Sequence, residues 1–233
     1  MNKTKHRLLR FILYPSSFIL LLSLSGCNIL GIGAQLAPPP KIDAQYKGMA
    51  GQRVGVMVWA DRGVRIDWSP IRMDLANSIQ VLLSPKRPTK EGKPPKEIKE
   101  FEGATFPVRA DSIVRYQEDH PEIEGEPITD VAPRLTVTRL IYVEIEDFAT
   151  RAPGAIDLFR GSASATLKIV EVDPQTKTAK VAYEENGITA EFPRNAPEDG
   201  VAGVGDQKMY VGTVKALAEE IVKRLVPYQA EEW

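Results

Sequence analysis

Cys27 is the only cysteine in the chain, and it closes the tetrapeptide Leu24-Ser25-Gly26-Cys27. A thiol is the most nucleophilic ordinary side chain once deprotonated, and a sulfur atom readily carries an acyl chain. Lys3, Lys5, Arg7 and Arg10 lie upstream, followed by residues 11–24, which are mostly Leu, Ile and Phe. A basic segment, an apolar segment and small residues before the cut make up the layout of a secretory signal. The spacing predicts cleavage of a signal peptide over 1–26 and lipidation of Cys27, with Leu24, Ser25 and Gly26 as the lipobox. Acyl chains on that residue attach the polypeptide to a lipid bilayer. An uncleaved membrane-spanning helix is the competing reading. The apolar run is about 14 residues, short of the roughly 20 needed to cross a bilayer, and Pro15, Ser16 and Ser17 interrupt it.

Other residue types that could do chemistry are weaker candidates. Glu118-Asp119-His120-Pro121-Glu122 gathers carboxylates around the one histidine outside the leader. Adjacent residues point in different directions, so the run reads as an exposed turn and predicts no metal site. Glu144, Glu146 and Asp147 could serve a hydrolase with paired carboxylates, but on a strand they equally suit a solvated face. Ser162 and Ser164 lack a nucleophile-elbow pattern, and Gly203-Val204-Gly205 lacks the lysine of a phosphate loop. Tyr142, Phe148 and Phe159 could line a lipid or small-ligand cavity. No catalytic residue, cofactor site or metal site is assigned, and the chain is expected not to be an enzyme.

These residues need elements to position them. Val54, Val56 and Val58 alternate within 53–60 and predict a buried strand. Residues 61–67 read as a turn; Ser69 and Pro70 then suit the start of a helix whose apolar face is Ile71, Leu75, Ile79 and Leu82. Ile113, Val114 and Tyr116 suggest a short strand over 112–117, and 129–135 a short helix. In the strand 137–148, Ile141, Val143 and Ile145 face one way, and Tyr142, Glu144 and Glu146 the other. Strand 158–172 alternates Ala163, Ala165, Leu167 and Ile169 against Ser162, Ser164, Thr166 and Lys168, and turns at 173–177. The return strand carries Ala179, Val181 and Tyr183. It changes phase at Asn186-Gly187, where a bulge is predicted, so that Ile188, Ala190 and Phe192 turn inward. A last helix over 206–225 carries the stripe Tyr210, Val214, Leu217, Ile221 and Leu225.

The expected fold is an α/β (α+β) two-layer sandwich with a mixed sheet, in the order β-α-β-α-β-β-β-α. Helices pack on one face of the sheet. Residues 27–51 are expected to be a tether containing Pro38, Pro39 and Pro40, 52–228 a single domain, and 229–233 a tail. Residues 84–104, rich in Lys, Pro and Glu, read as a solvated loop that supplies no core. The alternative for that loop is a basic patch for anionic lipid or wall polymer.

The chain has 30 Lys and Arg against 31 Asp and Glu. Residues 1–26 hold four of the basic residues and no acid, so the remainder carries 26 against 31, a net of −5. That balance speaks against nucleic-acid binding, which needs a concentrated basic surface. With Cys27 acylated no thiol is left for a disulfide, and stability must come from the core.

The lipobox, the proline-bearing spacer and this element order resemble a group of envelope lipoproteins. The group includes the CsgG family, the amino-terminal domain of the TolB family and lipoprotein activators of penicillin-binding proteins. The matching parts are the strand 53–59, the helix 71–83, the strand 139–148, the hairpin 158–192 and the helix 207–225. The resemblance implies a non-catalytic docking or accessory component of periplasmic or outer-membrane transport or wall assembly. It also implies an envelope protein partner, and homo-oligomers occur among similar proteins. In the lipoprotein families it resembles, aspartate after the acylated cysteine retains a protein in the inner membrane. Asn28 therefore leans towards the outer membrane, facing the periplasm. A CsgG-type pore hairpin is not expected, because 84–104 lacks the alternating apolar residues that face lipid.

Overall fold

The computed structural model of the chain describes residues 40–84, 98–152, 154 and 157–230. It divides into two compact units. The larger spans Ile42–Tyr228 and carries the fold; of the other, only residues 40, 41, 229 and 230 are described.

The architecture is mixed α/β, with helices flanking a four-stranded mixed sheet. Strands β1 (Val54–Ala60), β2 (Arg139–Arg151), β3 (Phe159–Val172) and β4 (Ala179–Phe192) lie side by side in chain order. β1 and β2 are parallel, with Val56 opposite Ile141 and Val58 opposite Val143. The other two pairings are antiparallel, as hairpin-connected strands require. The crossover from β1 to β2 contains α1 (Arg62–Asp67), α2 (Ile71–Leu83), α3 (Ala110–Asp119) and α4 (Ile128–Val131). Helix α5 (Asp206–Lys223) follows the sheet.

One face of the sheet carries the larger core. Val54, Val56, Val58, Ile141, Val143, Ile145, Leu167 and Ile169 pack there against α2 and α5. The stripe of α5 is buried as its period predicts, from Tyr210 through Ile221, and Leu225, two residues past the end of the helix, is buried with it. That helix lies close on the sheet at two glycines: a Cβ at Gly161 would meet Thr213, and one at Gly212 would meet the Phe192 ring.

The opposite face is covered as well, though only in part, where one-sided packing was expected. Met57, Leu140, Val170 and Val172 form a second core with Ile113 of α3, Ile123, Val131 of α4 and Leu135. β1 is therefore buried on both faces, which accounts for its unbroken apolar run. The uncovered remainder of that face carries Glu144, Glu146, Ser162, Ser164 and Lys168.

Segment 112–117 is a helical part of α3 and not a strand. Ala110, Ile113 and Gln117 are its buried residues, at steps of three and four, and that is a helix face. Gln117 Nε2 also donates to the Val58 carbonyl of β1 at 3.1 Å, so tertiary burial outweighs the β-branched pair Ile113-Val114. The expected turn at 61–67 contains α1, whose first turn is held by Asp61 accepting from the Gly63 amide at 2.9 Å. The start of α2 uses Pro70 as its cap, without a side-chain hydrogen bond from Ser69. The helix expected over 129–135 forms as α4 followed by a 3-10 turn, Ala132–Leu135.

Two further boundaries move. Ala44, Tyr46 and Met49 are buried, so packed chain begins inside the stretch expected to be tether. Tyr46 is fastened by Arg139 Nε at 2.9 Å and donates to Glu171 at 2.8 Å. Phe101, in the stretch expected to give no core, is fully buried and packs beside Phe106; residues 85–97 of that stretch lie outside the described residues.

The β4 bulge at Asn186-Gly187 is present: Ala165 faces Ile188 while Leu167 faces Glu185, and Gly187 has a φ of 70°. A second irregularity places Tyr183 opposite Ile169 but Val181 opposite Val170. Val181 and Tyr183, read from sequence as one inward set, therefore face opposite ways.

Candidate functional site

Three aromatic rings from distant parts of the chain meet at one end of the larger core. Trp68 follows α1, Phe148 lies late in β2, and Tyr210 is in α5. Trp68 stacks on Tyr210 at 5.4 Å between ring centroids, and Phe148 stands edge-on to both at 5.6 and 5.7 Å. A register shift in β2 between Ile145 and Asp147 keeps Phe148 on the core side. The Tyr210 hydroxyl donates to Asp74 of α2 at 2.7 Å. Burial, together with that carboxylate, pushes the phenol well above its usual range.

Trp68 and Phe148 line an open cleft of about 490 Å³. Asp67, Ala149, Thr150, Arg151 and Asp206 complete its lining. Arg151 Nε and the Thr150 hydroxyl both donate to Asp206 Oδ1, at 3.1 and 3.0 Å. The Arg151 hydrogen bond, supported by Thr150, holds the Asp206 carboxyl below the usual carboxylate range. Asp206 is thus a poor base, and it is the carboxylate that touches the Thr150 hydroxyl. Among the described residues no histidine or lysine lines the cleft. An aromatic floor beside a fixed ion pair suits binding more than bond-making.

Phe148 aside, the predicted candidates lie elsewhere. Cys27 and the lipobox residues Leu24, Ser25 and Gly26 lie outside the described residues, as do the triple proline start of the spacer at Pro38 and Pro39 and the basic stretch 85–97. His120 sits in the turn expected for it, against Tyr116 at 4.5 Å and with Nδ1 2.9 Å from Glu122. Glu118 pairs instead with Arg72 at 3.2 Å. Glu146 lies 2.7 Å from the Thr166 hydroxyl, and Asn186 lies on its other side at 3.0 Å. Tyr142, Phe148 and Phe159 do not share one cavity. Tyr142 packs on the second core, while Phe159 lies under the Arg151 guanidinium at 4.9 Å. Burial first, then the Glu144 charge, pushes the Tyr142 phenol up. Among the described residues no group of three or more His, Cys, Asp or Glu is placed to hold a metal, and no helix is long and apolar enough to cross a membrane.

Trp68 and the Arg151–Asp206 pair escaped sequence reading. Trp68 stands between the turn read over 61–67 and the helix start at Ser69, and no local period links it to Phe148 or Tyr210. The stripe on α5 did mark Tyr210, but as core only.

Neither a protein-family model nor a curated protein sequence matches the chain. Among solved structures the chain is similar to a PelC dodecamer from Paraburkholderia phytofirmans. The identity is 6%, with a TM-score of 0.36, over 78% of this chain and 94% of that one. It is also similar to a neuraminyllactose-binding hemagglutinin homolog from Helicobacter pylori, at 12% identity and a TM-score of 0.32, over 81% and 92% of the two chains. A hypothetical protein from Chlamydia trachomatis gives 12% identity and a TM-score of 0.33, over 73% and 98%. Likenesses of this size leave function to be argued from the residues of the chain itself.

Proposed function

We propose that the chain is a lipid-anchored envelope protein whose α/β domain is a non-catalytic docking or accessory component of a transport or wall-assembly system. The observation that carries this reading is the lipobox: the one cysteine of the chain follows Leu24-Ser25-Gly26 behind a basic and then apolar leader. The domain supports it by what its candidate catalytic groups do. Glu146, Asp206 and His120 are each engaged in local contacts. In this reading Asn28 directs the protein to the outer membrane, with the domain in the periplasm.

Metabolic labelling with palmitate tests the anchor. Label should enter the wild-type chain and be absent from Cys27→Ala, with the unlabelled variant released from the membrane fraction. Equal labelling of the two would end the proposal. Crosslinking in intact cells tests docking, and failure to recover any recurring neighbour would count against it.

A second reading rests on the cleft under Trp68 and Phe148: the domain carries a small ligand. Solvent extraction and mass spectrometry of the purified chain should then yield one compound in stoichiometric amount, lost in Trp68→Ala.

A further inference from the structure

A second cleft, also of about 490 Å³, opens on the side of α1 and the beginning of α2. Its lining is Arg62, Arg65 and Ile66 from α1, Arg72 from α2, and Glu124 from the 3-10 turn Pro121–Gly125. Three guanidinium groups around one small cleft repel one another unless anions balance them. Two carboxylates do so in part. Glu124 pairs with Arg65 at 2.6 Å, and Glu118 pairs with Arg72 at 3.2 Å. Arg62 has no acidic partner among the described residues. The group is left with one uncompensated positive charge.

The donors are under-used as well. The Nε–H groups of Arg65 and Arg72 are buried and have no acceptor among the described residues. Buried donors without acceptors are uncommon and costly. The Arg65 guanidinium is held in place over the Trp59 ring at 4.5 Å, so one wall of the cleft is formed in advance. Burial, with Arg65 nearby, holds Arg72 below its usual range despite the pull of Glu118 and Glu124, and an incoming anion would relieve that penalty. Ile66 is 72% exposed at the same cleft, the largest exposure among the exposed large apolar side chains of the described residues.

We propose that this cleft binds a phosphodiester monoanion, held by Arg62, Arg65 and Arg72, with Ile66 against the apolar part of the molecule that carries it. A single charge balances the one left over. A tetrahedral group offers oxygens in several directions to guanidinium groups on two helices, whereas one guanidinium fork already satisfies a planar carboxylate. Phospholipid head groups and water-soluble glycerophosphodiesters share this chemistry, and the exposed Ile66 favours the lipid. The proposal stands independently of acylation at Cys27.

Calorimetric titration of the full chain in a non-ionic detergent tests it, with glycerophosphoglycerol, dihexanoyl-phosphatidylglycerol and acetate as probes. Both diesters should bind saturably and acetate should not. Arg62→Gln, an exposed change that leaves the core intact, should weaken diester binding by about tenfold or more, the loss expected for one charge-assisted hydrogen bond. Arg72→Gln should weaken it further. If the lipid binds more tightly than its head group, and Ile66→Ser removes the difference, the source is a lipid; equal affinities identify a water-soluble diester. Absence of saturable binding by either diester, acetate binding as tightly as they do, or an Arg62→Gln variant that binds like wild type would each overturn the proposal.

Discussion

Replacing Gly161 by alanine puts a methyl group where the chain has no room for one. The new Cβ would lie 1.7 Å from Thr213 Oγ1, 3.1 Å from Thr213 Cβ and 3.3 Å from the Phe192 carbonyl oxygen. Thr213 is fully buried in α5, and its hydroxyl donates to the Met209 carbonyl at 2.8 Å. Its branched Cβ limits escape, because rotating the hydroxyl away breaks that bond. Either α5 lifts from β3 or Thr213 leaves its rotamer, and overpacking of this kind costs about 1–3 kcal/mol. For a domain of this size the melting temperature should fall by about 2–4 °C for each kcal/mol. The diagnostic measurement is the double-mutant cycle with Thr213→Ala, which removes the oxygen at 1.7 Å. In that background Gly161→Ala should cost at least about 1 kcal/mol less, and that difference is the coupling. Scanning calorimetry and far-ultraviolet circular dichroism on the four proteins supply the numbers. Equal costs of Gly161→Ala in both backgrounds would refute the close approach of α5 to β3.

The remaining predictions concern the sheet and its charges. Tyr46, pushed up to about 12 by burial and its bond to Glu171, stabilises the fold fully below its ordinary value near 10 and loses that contribution as pH rises towards 12. Tyr46→Phe should therefore flatten the alkaline limb of a stability–pH profile; an unchanged limb removes Tyr46 from the account. Glu171 is held below the usual carboxylate range, chiefly by the Tyr46 hydroxyl, so its contribution is present above that range and fades as pH falls below it. Glu171→Gln should accordingly flatten the acid limb in chemical denaturation. Gly187 sits at the β4 bulge with a φ of 70°, and Gly187→Ala should cost about 1–2 kcal/mol; a neutral result in urea unfolding would mean that the bulge relaxes.

Much of the sheet was legible because strand faces follow a local rule. Ile141, Val143 and Ile145, or Ala163, Ala165, Leu167 and Ile169, share a face by alternation alone, whatever the rest of the chain does. The α5 stripe and the Asn186-Gly187 bulge are local signals of the same kind. Where two periods compete over a short stretch, alternation misleads. At Ile113, Val114 and Tyr116 the β-branched run pointed to a strand, yet burial of Gln117 against Val58 selected a helix. Phe101 between two glutamates, and Tyr46 beyond a proline run, were lone apolar residues whose burial depends on partners far along the chain.

The sequence alone determined the alternating strands and the amphipathic helices, and it alone carries the proposal of a leader and a lipobox ending at Cys27, since each is written in residues within a few positions of one another. Only the tertiary structure decided that α3 covers the second face of the sheet, that Trp68, Phe148 and Tyr210 meet, and that Arg62, Arg65 and Arg72 share a cleft with Glu124. The physical reason lies in the parallel pairing of β1 with β2. It forces a long crossover over the sheet and so brings together side chains that no local period connects.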